Sequence, residues 1–283
     1  MTKDSPATWT LSGFGDEIDP DPRVQCAVLE ALGARHIEVR SAWGVNVVDL
    51  SDEHLADLAA LLKTAGFRVS AVASPIGKVD VALDADLEVA RLKRIIRVAH
   101  ALETDSIRIF SFFRGPGVAA ESTRDAVMVR MRALADEAER EKVTLLHENE
   151  KDIYGDTPER VLDLVETVGS PALRVAWDSA NFVQVGVARP HDEGYALLRP
   201  HLDYLQVKDA RSATGAVVPA GEGDGQVAAT IEALVADGYT GFASLEPHLA
   251  DAHELGGFSG PFAFGVAARA FRRLADDAGV ALA

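Results

Sequence analysis

The sequence has 283 residues, 48% of them hydrophobic, with 28 Lys and Arg against 44 Asp and Glu, a formal net charge of −16. Phosphates would be repelled over most of such a surface, so this balance disfavours action on nucleic acid or on an anionic membrane. Cys26 is the single cysteine, which excludes an intrachain disulfide and a thiolate zinc site. We find no signal-peptide pattern and no apolar run of bilayer length, and we therefore expect a cytoplasmic protein that handles small molecules.

Short β-rich runs alternate with segments of helical period along the chain. In residues 21–33, apolar side chains recur with the i, i+3, i+4, i+7 spacing of an amphipathic helix. The predicted strands are residues 8–14, 36–40, 68–74, 106–112, 143–148, 174–178, 203–207 and 241–246. The predicted helices are residues 21–33, 51–66, 84–103, 123–142, 157–169, 191–201, 226–238 and 261–277.

This alternation predicts the fold class. Short apolar strands joined by helices pair in parallel through right-handed crossovers. Eight such units close into a (β/α)8 TIM barrel. A doubly wound open sheet is the alternative, but no dinucleotide-binding glycine pattern follows the first strand. Since no Ser/Pro/Gly-rich linker interrupts the alternation, residues 1–283 are predicted to form one domain.

The ends of strands 5 to 8 carry oxygen-bearing side chains. The stretch LLHENEKD, residues 145–152, places Glu148 after an apolar strand, where an ionised carboxylate is costly to bury without a cation. Asp178, Gln206 and Glu246 end the next three strands. TIM-barrel active sites gather at these strand ends, and a ring of carboxylates there indicates a divalent cation between them. Oxygen ligands suit Mg²⁺ or Mn²⁺, with Co²⁺ or Zn²⁺ if a histidine joins.

A series of motifs connects the chain with a known family. They run in barrel order from Gly13 to about Phe271: GFGDEI, HIEVRSAWG, LLHENEKDIYGDTPE, RVAWDSANF, YLQVKDA, AGEGDG and SLEPH. With them the chain resembles the sugar phosphate isomerase/epimerase group of the xylose isomerase-like TIM barrels. The resemblance implies one divalent ion (Mn, Mg, Co or Zn) held from strands 5, 6, 7 and 8 by Glu148, Asp178, Gln206 and Glu246. Gln206 departs from the family pattern, which has a histidine there, and an amide oxygen is a weaker ligand than imidazole.

The resemblance also implies the chemistry. In the family, the metal chelates a carbonyl and the neighbouring hydroxyl, one Glu removes the proton between them to give a cis-enediolate, and a Glu returns it. Carried over, this makes Glu148 and Glu246 the acid/base pair of a sugar or sugar-phosphate isomerase or epimerase, with a small carbohydrate as substrate. Glu150 is expected to support Glu148. The candidate substrate-binding residues are Asn181, Lys208, Arg114 and His248.

Other charged residues near the first strands are expected to be structural. Asp16 and Glu17 could bond backbone N–H groups before the first helix. Glu38 and Arg40 are predicted to form an ion pair across the barrel mouth.

Two glycine-rich segments are read as loops. Residues 221–225, GEGDG, do not follow a strand in a dinucleotide unit and are predicted to be a flexible rim loop. Residues 256–260, GGFSG, open the last predicted helix, whose N-terminal amides could hold a phosphate.

Three other functions are open at this point. A metal-dependent dehydratase acting on a keto-sugar or inosose would share the proton abstraction and expel a hydroxyl. A DNA-repair endonuclease would share the barrel, but it needs a histidine-rich three-metal site, and the negative charge opposes it. A non-catalytic barrel with a degraded site is suggested by Gln206. The other three ligands and the Lys208-Asp209 pair argue against this interpretation. A homo-oligomer is compatible with any of them.

Overall fold

The computed structural model describes residues 7–249 and 259–283. Within these ranges, eight strands follow one another around a sheet in which all strand pairs are parallel. A parallel bridge between Phe14 and Glu38 joins the first strand to the second and closes the barrel. The predicted (β/α)8 fold is confirmed. The strands are β1 (Ala7–Gly13), β2 (His36–Val39), β3 (Arg68–Ala73), β4 (Ser106–Ile109), β5 (Thr144–Glu148), β6 (Leu173–Asp178), β7 (Leu202–Val207) and β8 (Phe242–Leu245).

The helices occupy the outer layer. Asp21 caps the first of them by accepting a hydrogen bond from the Arg23 N–H, and Ser51 caps the second through the His54 N–H. The helices are α1 (Pro22–Ala31), α2 (Asp52–Thr64), α3 (Ala85–Ala101), α4 (Ala120–Glu141), α5 (Pro158–Val168), α6 (Ser179–Gln184), α7 (Val227–Ala236) and α8 (Gly260–Asp277).

Four local features differ from the predicted elements. Strand β4 ends at Ile109 rather than 112, since Phe112 has φ 69° and its N–H bonds to Gly77 instead of continuing the ladder. Helix α6 begins at once after β6, because the Asp178 carboxylate accepts the Asn181 N–H at 2.9 Å. Residues 191–201 form a π turn and short helical turns in place of one helix. A ninth strand of this sheet, β9 (Val280–Leu282), pairs with the start of β1.

Strand alternation divides the core into two parts. One set of side chains faces the helices and includes the fully buried Trp9 and Trp177. The other set faces inward, where Leu146 and Tyr204 pack with small residues of neighbouring strands. Because side chains two residues apart share a strand face, Glu148 lies on the inward face above Leu146. The inward set therefore forms the floor of the barrel mouth.

No helix in the described part of the chain combines the length and the apolarity that crossing a membrane requires.

Candidate active site

Three buried carboxylates meet at the barrel mouth. Glu148, Asp178 and Glu246, from β5, β6 and the residue after β8, each place a carboxylate oxygen within 4.8 Å of the other two. Gln206, also predicted as a ligand, is buried beside Asp178 in the register of β6 and β7. Both its amide Oε1 and its Nε2 have no hydrogen-bond partner among the described residues. A buried amide without partners is rare, and its usual explanation is a water or an ion that completes it.

Lys208 is one of the cations that contact this acidic group. Its Nζ lies 2.9 Å from Asp178 Oδ2 and 3.0 Å from Glu246 Oε2. Burial alone would lower the pKa of the ammonium, but the charges of Asp178, Glu246 and Glu148 outweigh burial and raise that pKa well above its usual value. Lys208 therefore carries a charge that balances part of the acidic group.

Arg108, on the inward face of β4, is a site residue that the sequence analysis missed. Its Nε lies 3.0 Å from Glu148 Oε2, its Nη1 donates to the Ser74 carbonyl at 3.1 Å, and its guanidinium lies 4.4 Å from the centroid of the Phe110 ring. The available signal was an arginine between Ile107 and Ile109, in a strand too apolar for a solvated charge.

Arg40 links the first strand ends to the acidic group. Its three guanidinium nitrogens donate to Asp16 Oδ2 at 2.8 Å, Glu17 Oε1 at 2.8 Å and Glu246 Oε1 at 3.1 Å. Asp16 and Glu17 were expected to accept hydrogen bonds from backbone N–H groups before the first helix. They accept them from this guanidinium instead. The expected Glu38–Arg40 pair is wrong: Glu38 lies two residues deeper in the barrel and accepts the Tyr204 hydroxyl at 2.9 Å.

The two catalytic candidates have pKa values displaced in opposite directions. Burial raises the pKa of Glu148 to about 7, with Arg108 opposing the rise and Glu246 adding to it. Burial also acts on Glu246, but Lys208, His248 and Arg40 together lower its pKa well below the usual value. Two carboxyl groups with pKa values displaced in opposite directions are suited to different roles. Glu148 is suited to carry a proton, and Glu246 to remain an ionised base.

Besides Lys208, two more of the four candidate substrate-binding residues contact the catalytic candidates directly. Asn181 donates to Glu148 Oε1 at 2.9 Å and to the Asn149 carbonyl at 2.8 Å, which fixes the orientation of Glu148. His248 Nε2 lies 3.2 Å from Glu17 Oε1 and 3.3 Å from Glu246 Oε1.

Arg114, the fourth candidate, lies elsewhere. It donates to the Ile153 carbonyl at 2.6 Å and to Asp156 Oδ2 at 3.0 Å, and it braces the loop after β5. Glu150 pairs with Lys78 at 3.2 Å and stands apart from the three converging carboxylates. The two glutamates of the 145–152 stretch therefore have different partners: Glu148 meets Arg108, and Glu150 meets Lys78.

Asp209 organises the glycine-rich rim loop. Its two carboxylate oxygens accept the backbone N–H groups of Gly221, Gly223 and Gly225 at 2.9 to 3.1 Å, besides that of Ala210. A Cβ at Gly223 would lie 2.4 Å from Asp209 Oδ1, so the loop needs glycine for this close approach. Residues 221–225, predicted to be a flexible loop, are tied to the end of β7. Of the GGFSG run, residues 256–258 lie outside the described residues.

A cavity of about 210 Å³ opens onto the acidic group. Basic side chains outnumber acidic ones in its wall. The described residues that line it are Arg40, Asn46, Ala73, Ser74, Pro75, Lys78, Arg108, Phe110, Glu148, Glu150, Lys208, Glu246 and His248.

The donor set fits a divalent ion. Three carboxylate oxygens and the unpartnered Gln206 amide are hard oxygen ligands of the kind that Mg²⁺ and Mn²⁺ take. Lys208 lies at hydrogen-bond distance from two of these carboxylates. A bound ion would therefore share them with its ammonium group.

Comparisons with known proteins agree with this architecture. A family model described as xylose isomerase-like TIM barrel matches residues 26–281. No curated protein matches the chain in sequence. Among solved structures, a xylose isomerase-like TIM barrel protein of Mycobacterium smegmatis in complex with magnesium is 20% identical, with a TM-score of 0.66 over 93% of this chain and 97% of that one.

Two further structures are similar in fold. A probable 3-DHS dehydratase, AsbF, of Bacillus anthracis is 17% identical, with a TM-score of 0.72 over 94% of this chain and 98% of that one. A D-tagatose 3-epimerase-like protein is 14% identical, with a TM-score of 0.76 over 95% and 98%. At such identities the similarity is one of fold.

Proposed function

The chain belongs to the xylose isomerase-like TIM barrel family, and from that membership together with the site we propose a metal-dependent sugar or sugar-phosphate isomerase or epimerase. The reaction would begin by removal of a proton alpha to a carbonyl. The observation that carries the proposal is the convergence of Glu148, Asp178 and Glu246 at the barrel mouth, with the pKa values of the two glutamates displaced in opposite directions.

In this proposal Glu148, Asp178, Gln206 and Glu246 would hold a divalent ion. The ion, when bound, would polarise the carbonyl and make the adjacent C–H acidic. Glu148, with a pKa of about 7, is suited to take up the proton and release it near neutral pH. Asn181 and Arg108 keep its carboxylate in place, and Glu246, kept ionised, is the complementary base.

The test is solvent exchange. Ketoses, ketose phosphates and inososes are incubated with the Mn²⁺-supplemented protein in deuterium oxide and followed by NMR. We expect deuterium at one carbon alpha to the carbonyl, and none after chelation of the metal. Absence of exchange in every compound class, with protein shown to bind Mn²⁺, would contradict the proposal.

A dehydratase acting on a keto-sugar or inosose is the second candidate. Its support is His248, which lines the cavity and whose Nε2 lies 3.3 Å from Glu246 Oε1. From there His248 could donate a proton to a leaving hydroxyl. The AsbF similarity is in line with this chemistry, although it extends to the fold alone. The same NMR experiment separates the two, since a dehydratase would give an unsaturated product. A non-catalytic barrel would show neither exchange nor product.

The cytoplasmic location, the single domain, the carbohydrate substrate and a homo-oligomer are further parts of this proposal. Size-exclusion chromatography with light scattering tests the oligomeric state.

A further inference from the structure

We propose that the substrate of this site carries an anionic group, a carboxylate or a phosphate, that binds between Lys78 and Arg108 on the β3–β4 side of the cavity. This inference rests on the proposed function, because it narrows the class of compound on which the same site acts. It concerns the β3–β4 side of the cavity, next to Glu148.

The wall of the cavity is basic although the protein is acidic. Five of its lining residues are basic and three are acidic, whereas the chain as a whole has a formal charge of −16. Two of the basic residues are already committed: Arg40 bonds to Asp16, Glu17 and Glu246, and Lys208 bonds to Asp178 and Glu246. Arg108 and Lys78 each face a single carboxylate instead, Glu148 and Glu150, so the less compensated positive charge lies on the β3–β4 side of the cavity.

Arg108 has a donor to offer there. Its side chain is 5% exposed, with Nε beside Glu148 and Nη1 bonded to the Ser74 carbonyl. Nε has no hydrogen-bond partner of suitable geometry among the described residues, although Glu148 Oε2 lies 3.0 Å away. A buried guanidinium with a free donor favours an acceptor, and a planar fork of this kind binds carboxylate and phosphate well.

Lys78 is the second cation. It is 37% exposed, and its partner Glu150 is 17% exposed, at an Nζ–Oε2 distance of 3.2 Å. A partly exposed ion pair of this type contributes little to stability, so an entering anion could take over the ammonium at little cost. Lys78 Nζ also lies 4.2 Å from the centroid of the Phe110 ring, which Arg108 approaches at 4.4 Å. Both cations therefore contact the same aromatic ring in the cavity wall.

The backbone keeps this arrangement in place. The Phe110 N–H donates to the Ile76 carbonyl and the Phe112 N–H donates to the Gly77 carbonyl, each at 2.9 Å. A Cβ at Gly77 would lie 2.1 Å from the Phe110 carbonyl oxygen, so the contact requires glycine. Lys78 is therefore presented from a loop fastened to the end of β4.

The experiment measures anion binding by calorimetry on the full chain, with Mg²⁺ and again after chelation, because a metal could itself bind the probe. The probes are inorganic phosphate and malonate, with a neutral ketose as the uncharged comparison. The variants are Lys78→Met and Glu150→Gln, and Lys63→Met, at an exposed position of α2, is the control with the same change of charge.

We expect Lys78→Met to weaken binding of the favoured anion about tenfold, the size of one charge-assisted hydrogen bond. Glu150→Gln should tighten binding because it removes the competing carboxylate, and Lys63→Met should leave binding unchanged. Tighter binding of phosphate points to a phosphorylated substrate, and tighter binding of malonate to a sugar acid or keto acid. Equal effects of Lys78→Met and Lys63→Met, or no anion binding, would overturn the inference.

Failure of the proposed function gives a different pattern. If phosphate or malonate binds through Lys78 but no compound exchanges deuterium, the isomerase proposal fails and the anion site stands. If a neutral ketose exchanges as fast as its phosphate and the matching acid, the anion site fails and the proton-transfer proposal stands.

Discussion

Replacing Glu148 by Gln is the most direct test of the site. The substitution keeps the shape of the side chain and an oxygen that can accept from Asn181 Nδ2, now at 2.9 Å. It removes the charge that faces Arg108 Nε at 3.0 Å and the group that can take up a proton. A general base contributes about 10²- to 10⁴-fold in rate, or roughly 3 to 5 kcal/mol of barrier. Because Glu148 is also a proposed metal ligand, the loss should lie at the upper end of this range.

Glu150→Gln is the matched control. Glu150 contacts the half-exposed Lys78, and loss of that pair should cost at most about 1 kcal/mol. We expect this variant to keep deuterium exchange within a few-fold of the wild type and to keep its bound Mn²⁺. The assay is substrate deuterium exchange by NMR at saturating Mn²⁺, with circular dichroism to establish folding. An inactive Glu150 variant beside an active Glu148 variant would show that the two roles are reversed.

Four other outcomes are expected. Gln206→His should tighten Mn²⁺ binding in calorimetry, because imidazole is the stronger ligand; unchanged affinity would mean that Gln206 does not touch the ion. Lys208→Met should also tighten Mn²⁺ binding, since the ammonium now at 2.9 and 3.0 Å from Asp178 and Glu246 competes for their charge, and weaker binding would contradict this. Burial raises the pKa of Glu38 to about 8, against 4.5 in the unfolded chain, so between these pH values the native state binds more protons than the unfolded state. The free energy of unfolding therefore falls as pH rises from 4.5 to 8, by up to about 1.4 kcal/mol per pH unit. Glu38→Gln should flatten that fall in urea titrations at pH 5, 6.5 and 8, and an unaltered slope would count against Glu38 as its source. Asp209→Asn should speed hydrogen exchange at Gly221, Gly223 and Gly225, and equal protection in both proteins would show that other contacts hold the loop.

The sequence by itself determined the barrel and the acidic group. Strands that alternate with helices pair in parallel through right-handed crossovers, and eight such units close into a barrel. Once the strands are parallel, their carboxyl ends meet at one edge, so Glu148, Asp178 and Glu246 had to come together whatever the details of packing. Period-2 alternation also sufficed to place Leu146 and Glu148 on the inward face. These are local rules applied eight times.

The partners of the carboxylates were decided only by the tertiary structure. Arg108 reaches Glu148 because β4 and β5 pair with Arg108 opposite Leu146, a register that no local pattern encodes. Arg40 reaches Glu246 across 206 positions in sequence, which requires the barrel to be closed between β1 and β2. The pKa values follow from the same distances and from burial, since a charge acts over a few ångströms in space and not along the chain. Sequence patterns therefore located the acidic residues, and three-dimensional closure decided which cation each of them meets.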